Sequence, residues 1–130
     1  TAVFSSLGPG MRYPQLLQIA ATPRAPHTTM QVEELIYEEL ELLIQDGPTD
    51  SEMERVRNQI SAGSVRRIQS NIGLAFQLVE SIAVFDDWRE TFRYSEKLRA
   101  VTADDVMRIA KAYLTRSNRT VTTLVKTEGS

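Results

Sequence analysis

Three times in this chain a threonine stands three residues ahead of a glutamine or an acid, each time on the threshold of an apolar run: Thr28 and Gln31, Thr49 and Glu52, Thr102 and Asp105. The hydroxyl in such a pair accepts from an orphan N–H of the first helical turn, and the residue three positions on reaches back to the threonine's own N–H. Each pair therefore predicts where a helix begins. Behind Thr28, the residues Val32, Leu35, Ile36, Leu40, Leu43 and Ile44 recur at helical spacing, while Glu33, Glu34, Glu38, Glu39 and Glu41 cover the other side. Asp46-Gly47-Pro48 ends that helix, because glycine accepts a left-handed cap and proline cannot continue the turn. Behind Thr49, Met53, Val56, Ile60, Gly63 or Ser64, and Ile68 form a narrower stripe with Arg55, Arg57, Arg66 and Arg67 outside it. A mid-helix glycine costs up to about 1 kcal/mol relative to alanine, and close approach of a neighbouring element is the expected reason for Gly63. Behind Thr102, Val106, Ile109, Ala110, Tyr113 and Leu114 share one face.

Between these helices, Ser70-Asn71-Ile72-Gly73 reads as a break or kink, and Leu74 to Phe85 is the most apolar segment of the chain. A helix apolar over so much of its circumference is expected to be buried on more than one side. Asp86-Asp87 is placed to cap a short Trp88–Tyr94 segment, where Trp88 and Phe92 are four apart and would meet. Packing of these aromatics on the preceding helix is the expected arrangement. Strands are expected near 1–6, 15–22 and 119–126: the first follows β-branched and apolar content, the second is bounded by prolines 14, 23 and 26, and the third is rich in threonine and valine. Gly8-Pro9-Gly10 supplies a turn after the first. Segregated helices against a small, mainly antiparallel sheet make the fold class α+β, with the last strand returning to the first two.

At 130 residues, with 42% hydrophobic and 25% charged residues, the chain is long enough for one domain with a core. A net charge of −2 gives no basic field for nucleic acid or an anionic membrane, and no run reaches the ~20 apolar residues of a membrane span. Cysteine is absent, so disulfides, thiolate metal sites and cysteine nucleophiles are excluded. The one histidine, His27, sits in a proline-flanked loop; it cannot by itself hold a catalytic zinc, which takes three protein ligands. His27 with Glu33 or Glu34 has no ligand spacing of its own, and the glutamates read as the solvated face of an amphipathic helix. A serine triad would have to draw on the same His27, with no nucleophile elbow around it. Gly8-Pro9-Gly10 is too short to cradle a phosphate. No catalytic, cofactor-binding or metal-ligating residue is assigned.

The order of blocks carries a resemblance. Gly47-Pro48-Thr49-Asp50-Ser51-Glu52-Met53-Glu54-Arg55-Val56, the Asp87-Trp88 turn, and Val101-Thr102-Ala103-Asp104-Asp105-Val106 followed by the closing Arg119–Val125 segment resemble the C-terminal part of insulinase/pitrilysin-type zinc metallopeptidases. The resemblance spans nearly the whole chain and implies a metallohydrolase-like α/β sandwich, of which residues 1–130 would be a single partial domain. That family holds zinc with H-x-x-E-H on a helix and a distal glutamate, a motif this chain lacks. Its C-terminal halves can carry a substrate-binding Arg and Tyr, but Arg12-Tyr13 has the wrong spacing and lies in a turn.

The implied role is a non-catalytic C-terminal domain that encloses peptide substrate and supports the zinc-bearing half. Zinc would then belong to the parent enzyme, and the partners would be an N-terminal zinc-bearing domain or subunit and the peptide itself. A start at Thr1, with a strand already under way, is read as an excised piece, which is expected to self-associate through open edges or helix faces. Exported bacterial relatives make the periplasm the implied compartment. The alternative is a stand-alone helical interaction module, or a metal-free structural homologue.

Overall fold

The computed structural model describes residues 2–10 and 12–124. A hairpin comes first: β1 (Ala2–Gly8) pairs antiparallel with β2 (Leu16–Thr22), Ser5 facing Ile19 and Leu7 facing Leu17. Five helices follow: α1 (Thr29–Gln45), α2 (Asp50–Ile68), α3 (Asn71–Phe85), α4 (Glu90–Ala100) and α5 (Ala103–Tyr113). A 3₁₀ turn at Arg116–Asn118 leads into an extended Arg119. The α+β class read from the sequence holds, with a two-stranded sheet in place of three strands.

Local chemistry accounts for the helix starts. Thr28, Thr49 and Thr102 each close a full capping box, and Ser70 accepts from the Gly73 N–H at the start of α3. Gly47 follows α1 at φ +73°, the left-handed value its position requires, and its bare backbone lies against the Met107 thioether of α5. That contact joins the first and last helices: α1 lies along α5, with Val32 on one and Ala110 on the other both buried. The second cluster is α2, α3 and α4 packed on one another. There the Ser81 and Thr91 hydroxyls are 2.7 Å apart, and Thr91 Oγ1 also donates to the Gln77 carbonyl at 3.3 Å.

Several expectations are corrected. Residues 119–124 form no strand; the only pairing among the described residues is β1 with β2, and a threonine–valine segment becomes a strand only where a neighbour takes its N–H and C=O groups. Positions 1, 125 and 126 of the expected strands lie outside the described residues. The break at 69–70 is a full corner, the α2 and α3 axes turning through 112°. The reason is Gly73: a Cβ there would collide with the Arg67 carbonyl at the end of α2. Gly63 shows the opposite, since nothing lies within 4 Å of the space a Cβ would fill. Asp86 does not cap the next helix; it ends α3 in the left-handed conformation at φ 57°. Only then does the Asp87 carboxylate accept from the Arg89 N–H, and α4 runs past Tyr94 to Ala100.

The apolar segment is also less covered than its composition predicts. Phe76 is 71% and Val79 63% exposed, because α2 and α4 occupy only part of the α3 circumference. Trp88 and Phe92 meet edge to face at 6.4 Å and stay half exposed, while Tyr94 reaches Phe85 at 6.5 Å. The chain exposes 10800 Å², where a self-contained domain of its mass exposes about 6,900 Å².

The two glycines give opposite predictions. Gly63→Ala stabilises by about 0.5–1 kcal/mol, since it removes a helix-interior glycine at no steric cost. Gly73→Ala destabilises by about 1–3 kcal/mol through the clash with the Arg67 carbonyl. Urea unfolding followed by circular dichroism checks both, and equal shifts of the same sign would refute the assignment of the corner to Gly73.

Candidate functional site

A cleft of about 530 Å³ with a mainly apolar lining lies between the hairpin and α1. Its walls are Val3, Phe4 and Ile19 from the strands and Val32, Leu35, Ile36 and Leu40 from the helix, so the hairpin lies against the helical stripe behind Thr28. Polar lining comes from Ser5, Gln31, His27 and Glu39. The hairpin brings His27 to this cleft because the loop after β2 folds back, the His27 N–H donating to the Arg24 carbonyl at 3.0 Å. The sequence gives no hint that His27 lines the same cleft as Glu39, twelve residues on; that depends on where the loop deposits the ring.

The donor set does not fit a zinc ion. The cleft offers one imidazole, and among the described residues no three His, Cys, Asp or Glu side chains converge. Glu33, weighed as a partner for His27, is engaged elsewhere: its Oε1 accepts from the Tyr37 hydroxyl at 2.6 Å. That bond, with burial second, raises the Tyr37 pKa, and the Arg119 guanidinium stacked 3.8 Å from the ring centre opposes the shift. Arg12 is likewise committed. Its Nη1 donates to the Ala83 carbonyl at 3.1 Å, filling one of the acceptors left open in the last turn of α3, while Tyr13 stays exposed. Arg12 and Tyr13 therefore do not act as a pair on the cleft.

Electrostatics points the same way. The carboxylates held below their ordinary range are helix-start groups: Glu52 by the Thr49 N–H and hydroxyl, Asp87 chiefly by the Arg89 N–H, and Asp105 by the Arg108 guanidinium and then Thr102. None lines the cleft. An apolar trough with an imidazole and a carboxylate in its lining can bind an extended or helical segment.

No family model matches the chain, and no curated protein matches it. Solved structures do. The chain is similar to a candidate zinc protease from Bordetella pertussis Tohama I, with 28% identity and a TM-score of 0.78, over 96% of this chain and 68% of that one. It is similar to the inactive peptidase domain of a candidate zinc protease from Bordetella parapertussis, with 27% identity and a TM-score of 0.83, over 100% of this chain and 68% of that one. A protease from Helicobacter pylori shares the fold at 18% identity and a TM-score of 0.70, over 90% of this chain and 28% of that one. The resemblance to zinc proteases carried by the Gly47–Val56 and Val101–Val106 blocks is thus met by structural neighbours of that class, one of them an inactive peptidase domain.

The lowered carboxylates set the acid response. A depressed folded pKa contributes stability that is present above the unfolded carboxylate value, about 4, and is lost as pH falls through the folded value. Thermal midpoints are therefore expected to hold from neutrality to about pH 5 and to decline below about pH 4. The double substitution Glu52→Gln/Asp105→Asn, which removes two of the three lowered carboxylates, flattens that decline; a decline of unchanged steepness would contradict their role.

Proposed function

We propose that this chain is the non-catalytic C-terminal portion of an insulinase/pitrilysin-like zinc metallopeptidase. In that reading it encloses peptide substrate and braces the zinc-bearing half, and the zinc belongs to that half. An exported, periplasmic parent is part of the reading. The observation that carries it is the likeness to an inactive peptidase domain along the entire chain. The surplus of exposed apolar surface supports it as well: an enclosing element needs a face that a larger body covers.

A second reading, a helical interaction module, is favoured by one observation. Ile72, Phe76 and Val79 line one exposed stripe of α3, the geometry of a helix that receives a partner. An H-x-x-E-H segment in the same polypeptide or an adjacent reading frame is expected on the first reading; a reading frame limited to these residues favours the second.

The biochemical test uses the purified chain. Incubated with zinc and a fluorogenic peptide library it is expected to show no chelator-sensitive hydrolysis, and metal analysis after dialysis is expected to give well under one zinc per chain. Stoichiometric zinc with hydrolysis abolished by chelator, absent from a mock preparation, would overturn the proposal.

A further inference from the structure

Helix α5 packs chiefly on α1, and a sulfur sits at the end of that contact. Gly47 follows α1 with a positive φ and no side chain, and the Met107 side chain of α5 fills the notch it leaves. A Cβ on Gly47 would stand 2.6 Å from the sulfur and 3.0 Å from Met107 Cγ. Met107 lies one turn ahead of Ala110, which is buried on the same face. A thioether suits so narrow a seat, being slim, polarisable and almost without hydrogen-bonding demand. The residue is half-buried, not sealed, so a small solute can reach it.

Oxidation turns that seat against its occupant. Methionine sulfoxide carries an oxygen on sulfur, a polar group that needs a donor when it is taken out of water. The backbone around the notch has none free. The Asp46 N–H donates to the Leu42 carbonyl at 2.8 Å, the Gly47 N–H to the Leu43 carbonyl at 3.2 Å and the Thr49 N–H to Glu52 Oε2 at 2.9 Å, while Pro48 has no N–H. The added oxygen must either displace a bond that ends α1 or begins α2, or carry the side chain out of the notch into water. Either outcome parts α5 from α1.

We propose that Met107 makes the α1–α5 contact a redox-sensitive joint, closed by the thioether and opened by its sulfoxide. The oxidant is a hydroperoxide, in the simplest case hydrogen peroxide. A sulfur lone pair attacks one peroxide oxygen, and the S–O bond forms as the O–O bond breaks. A proton passes from the transferred oxygen to the departing one, which leaves as water; sulfur gives up two electrons and the peroxide takes them. The proposal stands apart from the peptidase reading, because both sides of the contact belong to this chain.

The test treats the purified chain with hydrogen peroxide, maps oxidation by peptide mass spectrometry and follows thermal unfolding by circular dichroism. The chain has four methionines, and Met30, 75% exposed, serves as the internal control. Conversion of Met107 is expected to lower the thermal midpoint by about 3 °C or more, and methionine sulfoxide reductases are expected to restore it. Met107→Leu keeps the volume without the sulfur and is expected to hold its midpoint through the same treatment. Met11→Leu/Met30→Leu/Met53→Leu is expected to lose it as the unmodified chain does. Hydrogen exchange on the unmodified chain needs no variant: protection is expected to fall more in Thr29–Gln45 and Ala103–Tyr113 than in α2, α3 and α4. An equal fall in Met107→Leu, or full conversion of Met107 at an unchanged midpoint, overturns the proposal. So does a Met107 that resists conditions converting Met30 completely, a midpoint the reductases do not restore, or protection lost equally in both helical clusters.

Discussion

Every helix begins with backbone N–H groups that have no partner in their own ladder, and in this chain the answer to that demand organises most of the helical body. Thr28, Thr49, Ser70 and Thr102 each place a hydroxyl where the first turn needs an acceptor. Three of the four are answered by a side chain that reaches back. These bonds weigh more here than in a well-packed domain, because the buried apolar side chains among the described residues come down to Val32 and Ala110. Where the interior is thin, local hydrogen bonds decide where the chain turns. The Thr49 cap stands four residues after α1 ends, so α2 starts at a fixed offset from the α1–α5 pair.

The two helical clusters share few contacts and meet mainly through their connections. Arg57 supplies a link, its Nη2 donating to the Val101 carbonyl at 2.7 Å just before the cap of α5. The guanidinium Nε has no partner of its own, so this tie between α2 and the α4–α5 joint is only partly compensated. On the other side, Arg119 on the Tyr37 ring holds the chain leaving α5 against α1. Both joints use arginine, whose planar head can bond a carbonyl or stack on a ring without a large core around it.

What could be read in the residues was what residues settle among close neighbours in sequence. The capping pairs located three helix starts to the residue, Gly47 ended α1 with its positive φ, and the proline-bounded run became β2. What could not be read was set by distant neighbours. Arg119 to Leu124 has the composition of a strand, but no edge beside it accepts its backbone. Leu74 to Phe85 has the composition of a buried helix, but two helices cover only part of it. Glycine is ambiguous for the same reason: Gly63 and Gly73 look alike as letters, and only the position of the Arg67 carbonyl separates them. The cleft was half legible. Its α1 wall derives from the apolar stripe, whereas the arrival of His27 in the lining depends on a loop path that no periodicity encodes.

The bond from Arg12 to the Ala83 carbonyl has a mechanical meaning. Among the described residues it is the one hydrogen bond that joins the loop between the strands to the helical body, and it is exposed. An exposed bond of this kind contributes about 0.5–1.5 kcal/mol, which sets latched against unlatched within roughly a tenfold ratio. Beyond that bond the hairpin is held by the apolar walls it shares with α1 and by the chain after Thr22, so one guanidinium carries its polar attachment to the helices among the described residues.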